Sequence, residues 1–260
     1  MTTLLIDVGN TRIKWARVRP GKSGRQHAAA HVGWTAKDYA RRVFGRRAAA
    51  RVVVSSVAGL KVNRMLIAAA RIAAAPAPEF VVSRRKAGGI TTAYLEPWRL
   101  GVDRFVGVIG ARRLCGGRAV CVVNVGTAVT IDLVDGLGRH RGGAIIPGPA
   151  LMVDSLLSST SGIRRRAQSG RRGVRSLFAR STRTAIGQGA AYAVAAVIDR
   201  AMQEARVQIG RRPKLLLTGG GATSIVPLLR HSCVRVPDLV LQGLAVWAGV
   251  AAPPKRVLPP

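Results

Sequence analysis

Two segments of this chain have the same shape. LLIDVGNTRIKWARV (residues 4–18) and CVVNVGTAVTIDLVD (residues 121–135) each run from a short apolar strand through a glycine-containing turn into a second strand. Superimposed, Asp7 meets Asn124 and Gly9 meets Gly126, a constant offset of about 117 residues by subtraction. A duplicated strand–turn–strand unit constrains the fold strongly. It predicts two related halves, each led by a β-hairpin, with a cleft between them.

The remaining pattern fits mixed α/β halves. Residues 4–8 and 12–18 read as strands, with Ile13, Trp15 and Val18 on alternating positions. Residues 19–31 are basic and polar and read as a loop. Thr35, followed by Asp38, is a candidate helix start for 35–50. Residues 51–57 read as a strand, 61–75 as an alanine-rich helix halted by Pro76 and Pro78, and E-F-V-V-S as a short strand. Residues 86–102 are turn-rich, and helical spacing from Asp103 to Arg113 puts Asp103 at a helix start. The second half repeats the theme. Strands cover 119–125 and 128–135, a third segment is G-G-A-I-I-P-G, and helices cover 149–160 and 185–202. A buried strand at 214–218 then runs into Gly219-Gly220-Gly221 and a short helix, and 239–249 forms a closing helix. The division expected is 1–116 and 117–260.

The chain has 260 residues, 48% of them hydrophobic but only 4% aromatic, so alanine, valine and leucine must fill the core. No apolar run reaches the roughly 18 residues of a membrane span. MTTLLIDVG lacks a basic, cleavable leader, and the cytoplasm is the simplest compartment. Cys115, Cys121 and Cys233 form no C-x-x-C pair, and the four histidines show no metal-ligand spacing. The formal net charge is +31. Such a field attracts polyanions, nucleic acid included, without specificity. R-R-R-A-Q-S-G-R-R is the densest basic run. It motivates a second reading, a nucleic-acid-associated regulator, but no helix-turn-helix, zinc finger or aromatic stacking motif accompanies it. A solvated basic surface is the simpler account.

With only 11 acidic residues, an acid in an apolar setting is informative. In Asp7-Val8-Gly9-Asn10-Thr11-Arg12-Ile13-Lys14, Gly9 lets a phosphate approach the backbone, Asn10 and Thr11 supply donors, and Lys14 supplies charge. Asp7 would hold Mg²⁺ through water. The turn leads into a strand and lacks G-x-x-x-x-G-K-[ST], so it is not a Walker loop. The second turn offers Thr127 and Thr130 as hydroxyl donors and Asp132 as a second acid, although threonine also serves strand edges. Leu100-Gly101-Val102-Asp103-Arg104 places an acid beside an arginine at a helix start. That pair is either a general base with a cationic neighbour or a simple helix-start charge.

Five segments together carry a resemblance. D-V-G-N-T-R-I-K, Y-L-E-P-W-R-L-G-V-D-R-F, N-V-G-T-A-V-T-I-D, G-G-A-I-I-P-G and L-V-L-Q-G-L-A, in this order, resemble type III pantothenate kinase, a family that includes the Bvg accessory factors. The match spans about residues 4 to 249. The resemblance implies the acetate and sugar kinase/Hsp70/actin fold, with two ribonuclease-H-like halves and ATP between them. It implies transfer of the γ-phosphate of ATP, with Mg²⁺, to the primary hydroxyl of pantothenate, the first step toward coenzyme A. It assigns ATP to residues 7–14 (Asp7, Val8, Gly9, Asn10, Thr11, Arg12, Ile13, Lys14) and to Thr127. It assigns pantothenate to Tyr94, Gly101, Val102, Asp103, Arg104 and Thr182, with Asp103 as proton acceptor. It also implies a homodimer and a monovalent cation, K⁺ or NH₄⁺. The family often carries an acid where Asn124 stands, and there it helps to hold that cation. A neutral amide offers one weaker acceptor oxygen, so cation dependence stays open. Gly221 likewise stands where an acid is usual.

Overall fold

The computed structural model describes residues 1–253 except Ser23, Arg46 and 168–175. In chain order the strands and helices are β1 (Thr3–Val8), β2 (Arg12–Val18), β3 (Gln26–Ala30), α1 (Ala36–Tyr39), β4 (Arg51–Ser56), α2 (Gly59–Ile72), β5 (Glu79–Phe80), β6 (Lys86–Ala87), β7 (Ile90–Thr91) and α3 (Val102–Leu114). Then come β8 (Val120–Val125), β9 (Ala128–Val134), β10 (His140–Pro147), α4 (Pro149–Ser159), α5 (Ser161–Arg166), α6 (Thr182–Ile209), β11 (Lys214–Thr218), α7 (Ala222–Ile225), β12 (Val234–Arg235) and α8 (Leu239–Trp247). They form two compact units. One comprises Met1–Arg118, Gly136–Gly142 and the segment from Asp238 on; the other comprises Ala119–Asp135 and Gly143–Pro237.

The repeat seen in the sequence is a repeat of topology. The first unit has a five-stranded sheet in the order β3-β2-β1-β4-β5, and the second sheet runs β10-β9-β8-β11-β12. In each, a hairpin (β1 with β2, β8 with β9) is antiparallel, and β4 then β5, or β11 then β12, add in parallel on the side of its first strand. The hairpin turns differ by one residue. Asp7 pairs with Lys14, seven positions on, whereas Asn124 pairs with Thr130, six on.

In the first unit β1 is the central strand and is buried along its whole length. Alternation sends its side chains to two cores. Leu4, Ile6 and Val8 pack with Tyr39, Phe44, Leu66 and Ala69, and Leu5 packs with Val106, Val240, Leu241 and Leu244. Each such leucine or isoleucine buried contributes on the order of 2 kcal/mol. In the second unit Cys121, Val123 and Val125 face Val194, Ile198 and Met202 of α6.

Helices α3 and α8 approach backbone to backbone. A Cβ at Gly243 would lie 1.9 Å from the Val106 carbonyl oxygen, and one at Gly110 would lie 2.6 Å from the Leu239 carbonyl oxygen. This contact is the physical content of the glycine in L-V-L-Q-G-L-A, and it sets the position of α3. Gly243→Ala should therefore cost about 1–3 kcal/mol or more, because two helix backbones rather than a flexible side chain must move. Urea unfolding of the variant measures this directly.

Two local expectations change, and part of the basic run gains a structure. Residues 26–30 form a strand, not a loop: β3 pairs antiparallel with β2, from Arg12 with Ala30 to Ala16 with Gln26. QHAAA is mostly exposed and lacks β-branched residues, so the edge of β2 rather than its own pattern makes it a strand. The helix opened by Thr35 has the expected reciprocal cap, with the Thr35 hydroxyl accepting from Asp38 N–H and the Asp38 carboxylate accepting from Thr35 N–H. It runs only through Ala36–Tyr39 and a π-helical turn, Ala40–Phe44, and ends at Gly45 with φ 56°. Arg164 to Arg166 lie in the short helix α5, while Gln168 to Arg172 of the basic run lie outside the described residues.

Candidate active site

In the first unit the site is built from the end of β1 and the start of α3. Asp7 lies two residues beyond Leu5 and so shares the sheet face that α3 and α8 cover. It is buried, 9% exposed, and sits in register with Lys14 on β2 and Ser55 on β4. Burial pushes its carboxyl up to about 7; Lys14 opposes this and the charge of Asp103 adds to it. The Asp7 carboxylate therefore lies within the fields of both Lys14 and Asp103. Asp7 thus offers a buried carboxylate oxygen flanked by a lysine and a second acid. That donor set suits a hydrated Mg²⁺, which Asp7 would hold and which would neutralise phosphate charge when bound.

Val8 and Ile13 pair across the hairpin and their side chains are fully buried, so their side chains support the turn and only their backbone can face a ligand. Gly9, Asn10, Thr11 and Arg12 form the turn, closed by Gly9 N–H donating to the Arg12 carbonyl at 3.0 Å. Asn10, Thr11 and Arg12 are exposed. The turn is thus a backbone loop with donors toward solvent and a buried acid at its base.

Helix α3 follows Gly101 and presents Asp103 in its first turn, where the helix dipole favours negative charge. Asp103 Oδ1 accepts from Arg104 N–H at 2.8 Å. Arg104 is 7% exposed; its Nη1 donates to Tyr94 Oη at 3.0 Å and its guanidinium lies 5.8 Å from the Tyr94 ring centre. Tyr94 in turn stacks on His140, with ring centroids 6.0 Å apart. His140 is buried, and no sequence motif points to it. The Gly136–Gly142 segment brings it there, as Thr91 N–H bonds Gly138 O at 2.9 Å and Thr91 bridges Arg139. Tyr94, Asp103 and Arg104 are one cluster, with aromatic, cationic and anionic surfaces side by side.

The second unit repeats the turn with different chemistry. Gly126 N–H donates to Ala128 O at 3.0 Å, and Gly126 and Thr127 are exposed. Gly148, the last residue of G-G-A-I-I-P-G, donates its N–H to Thr127 O at 2.8 Å, and Gly221 donates to Val125 O at 3.0 Å. These two glycine segments therefore brace the second turn from neighbouring elements. Asn124 pairs with Thr130 and Thr218 and is half-buried. Asp132 is only 2% exposed; burial, with the Asp132 charge adding to it, pushes the Cys121 thiol up to about 12. Asp132 is thus an acid of the sheet interior. Thr182 opens α6 behind Ser181, whose hydroxyl accepts from Thr184 N–H.

Among the described residues no cluster of three or more His, Cys, Asp or Glu could hold a metal, and no helix is long and apolar enough to cross a membrane.

Known proteins bear on this arrangement. The family model for type III pantothenate kinase matches residues 3–204. A type III pantothenate kinase from Nitrosococcus oceani is 40% identical over 249 residues, covering 93% of this chain and 92% of that protein. One from Halorhodospira halophila is 36% identical, covering 94% and 97%. Among solved structures, a Baf family protein from Campylobacter jejuni superimposes with a TM-score of 0.56 at 18% identity, covering 93% of this chain and 94% of that one. The activator of 2-hydroxyisocaproyl-CoA dehydratase from Clostridium difficile, with bound ADPNP, gives 0.51 at 12% identity, covering 96% and 94%. The fold is that of the actin, Hsp70 and sugar kinase superfamily. With a matching model over most of its length and relatives of this identity, the chain belongs to the type III pantothenate kinase family.

Proposed function

We infer that this chain is an ATP-dependent pantothenate kinase, transferring the γ-phosphoryl group of ATP to the primary hydroxyl of pantothenate in coenzyme A biosynthesis. Family membership carries the reaction. The observation that favours it locally is the buried Asp7 carboxylate, in register with Lys14 and within reach of the Asp103 charge, at the base of an exposed turn.

The chemistry divides among the residues as follows. Residues 7–14 and Thr127 hold the ATP phosphates: the turn supplies N–H and side-chain donors, and Lys14 supplies charge. Asp7 would hold Mg²⁺, which would supply charge neutralisation at the phosphate oxygens. Tyr94, Gly101, Val102, Arg104 and Thr182 hold pantothenate, and the Arg104 guanidinium suits its carboxylate. Asp103 accepts the proton of the attacking hydroxyl. Phosphoryl transfer passes through a loose transition state, so orientation of that hydroxyl and neutralisation of phosphate oxygens dominate the rate. The active form is a cytoplasmic homodimer, and the Asn124 position is where a monovalent cation would bind.

Purified protein should release ADP only when ATP, Mg²⁺ and pantothenate are all present, and the product should be 4′-phosphopantothenate. ADP release that ignores pantothenate would overturn the reading. Repeating the assay with and without K⁺ or NH₄⁺ tests the Asn124 position, and light scattering of the same sample tests the dimer.

A further inference from the structure

His31 follows the edge strand β3, and its side chain reaches the turn of the first hairpin. It is 4% exposed. Its Nε2 lies 2.8 Å from the Gly9 carbonyl oxygen, and its Nδ1 lies 2.6 Å from Tyr39 Oη. Its backbone N–H donates to the Thr11 carbonyl at 3.3 Å. Trp34 stands edge-on to both rings, with centroids 6.3 Å from His31 and 5.2 Å from Tyr39. The buried imidazole thus stands behind the turn, backed by two aromatic rings.

The atoms determine which nitrogen carries the proton. A carbonyl oxygen can only accept, so Nε2 must donate to Gly9 O. In the neutral ring Nδ1 then accepts from the Tyr39 hydroxyl. Tyr39 is fully buried, and burial pushes its phenol up, so it remains a donor. The Gly9 carbonyl therefore fixes the tautomer, and the Tyr39 hydroxyl satisfies Nδ1 and holds the ring in place. The consequence for the turn follows from peptide geometry. A trans peptide points its N–H opposite to its C=O. Holding Gly9 O toward the buried ring turns the Asn10 N–H the other way, to the exposed side of the turn.

We propose that His31, set by Tyr39, is a positioning residue for phosphate binding: it locks the Gly9–Asn10 peptide so that the Asn10 N–H faces the ATP phosphates. The proposal rests on the reading of residues 7–14 as the phosphate-holding hairpin. It differs from general support of the fold because it predicts an effect on one substrate. A turn left free to rotate its peptide loses a donor to ATP, while the Tyr94–Arg104 cluster keeps its own contacts.

The test uses three variants in steady-state kinetics with both substrates varied, together with thermal melts and titration with MgATP. His31→Leu fills the space without a donor and should raise KM for ATP by about 10- to 100-fold, with KM for pantothenate within about twofold. His31→Gln restores an amide donor and should recover most of that loss. Tyr39→Phe keeps the aromatic ring but removes the partner of Nδ1 and so loosens the imidazole behind the turn, and should raise KM for ATP by roughly 3- to 10-fold. Equal losses for both substrates that track the fall in melting temperature, without recovery in His31→Gln, would overturn the proposal. Should His31→Leu fail to fold, Tyr39→Phe decides: an unchanged KM for ATP overturns it. Lys14→Ala, measured alongside, separates the two levels. If Lys14→Ala leaves MgATP binding intact, the hairpin reading itself fails. If it weakens MgATP while the His31 and Tyr39 variants show no ATP-selective effect, only the role of His31 falls.

Discussion

Asp103→Asn should keep MgATP binding and lose turnover by about 10²- to 10⁴-fold, the range expected when a positioned base is removed. The substitution is nearly isosteric. The amide oxygen can still accept from Arg104 N–H, so the first turn of α3 and the Arg104–Tyr94 contact should survive. What is lost is the capacity to take the hydroxyl proton as the phosphoryl group transfers. The loss should appear in kcat, with KM for ATP little changed, because an interaction made only during the chemical step is absent from the ground state. The same variant has a second readout. The Asp103 charge helps to raise the Asp7 carboxyl, so removing it should lower the Asp7 titration point, measurable by following the Asp7 side-chain carboxyl carbon by NMR. Turnover close to that of the unaltered protein would remove Asp103 from the base role. An unmoved Asp7 titration would mean that the two acids do not communicate.

Much of this arrangement is legible in the sequence because it rests on local pattern. The two hairpins announce themselves by alternation around Gly9 and Gly126, and their offset anticipates two sheets of one topology. The Thr35–Asp38 cap and the Asp103 helix start are also local signals. What escapes depends on partners distant in the chain. β3 is a strand because β2 has a free edge, and QHAAA carries no signal of that. Without β3, nothing in the sequence directs His31 to Gly9 and Tyr39, which it reaches in the fold. His140 is likewise placed by the packing of the 136–142 segment on β7, which no spacing rule connects to Tyr94. The glycine of L-V-L-Q-G-L-A is legible as a motif but not as a helix contact; its meaning lies in the Val106 carbonyl on another helix. Sequence pattern therefore reports which residues start and end elements, and tertiary contact decides which of them meet.

Asp7→Asn should move stability and activity in opposite directions. The Asp7 carboxyl titrates at about 7 in the folded chain against an ordinary value of 3.8, chiefly because burial disfavours its charge. The sign follows from linkage. Between those two values the folded protein holds a proton that the unfolded chain has released. Stability is therefore greatest with respect to this group below about pH 4, falls as pH rises toward 7, and is level above it. At about 1.4 kcal/mol for each pH unit of that interval the full penalty is about 4 kcal/mol, so a gain of roughly 2–4 kcal/mol is the expected order. Asparagine mimics the neutral form. In the absence of nucleotide, Asp7→Asn should be more stable than the unaltered protein at pH 8 by that order, with the difference vanishing near pH 4. Urea unfolding across this range measures it. Activity should fall at least about 10²-fold, because the group that would hold Mg²⁺ and balance Lys14 is gone. Addition of MgATP should invert the comparison: a ligand bound only by the folded state stabilises according to its concentration over Kd, and the variant binds it poorly. A variant no more stable than the unaltered protein at pH 8 would mean that the Asp7 charge carries no folding penalty. A variant that gains stability and keeps turnover would separate the burial of Asp7 from its role in catalysis. With both effects present, the chain keeps a destabilising carboxylate at the end of β1 because the reaction requires one there.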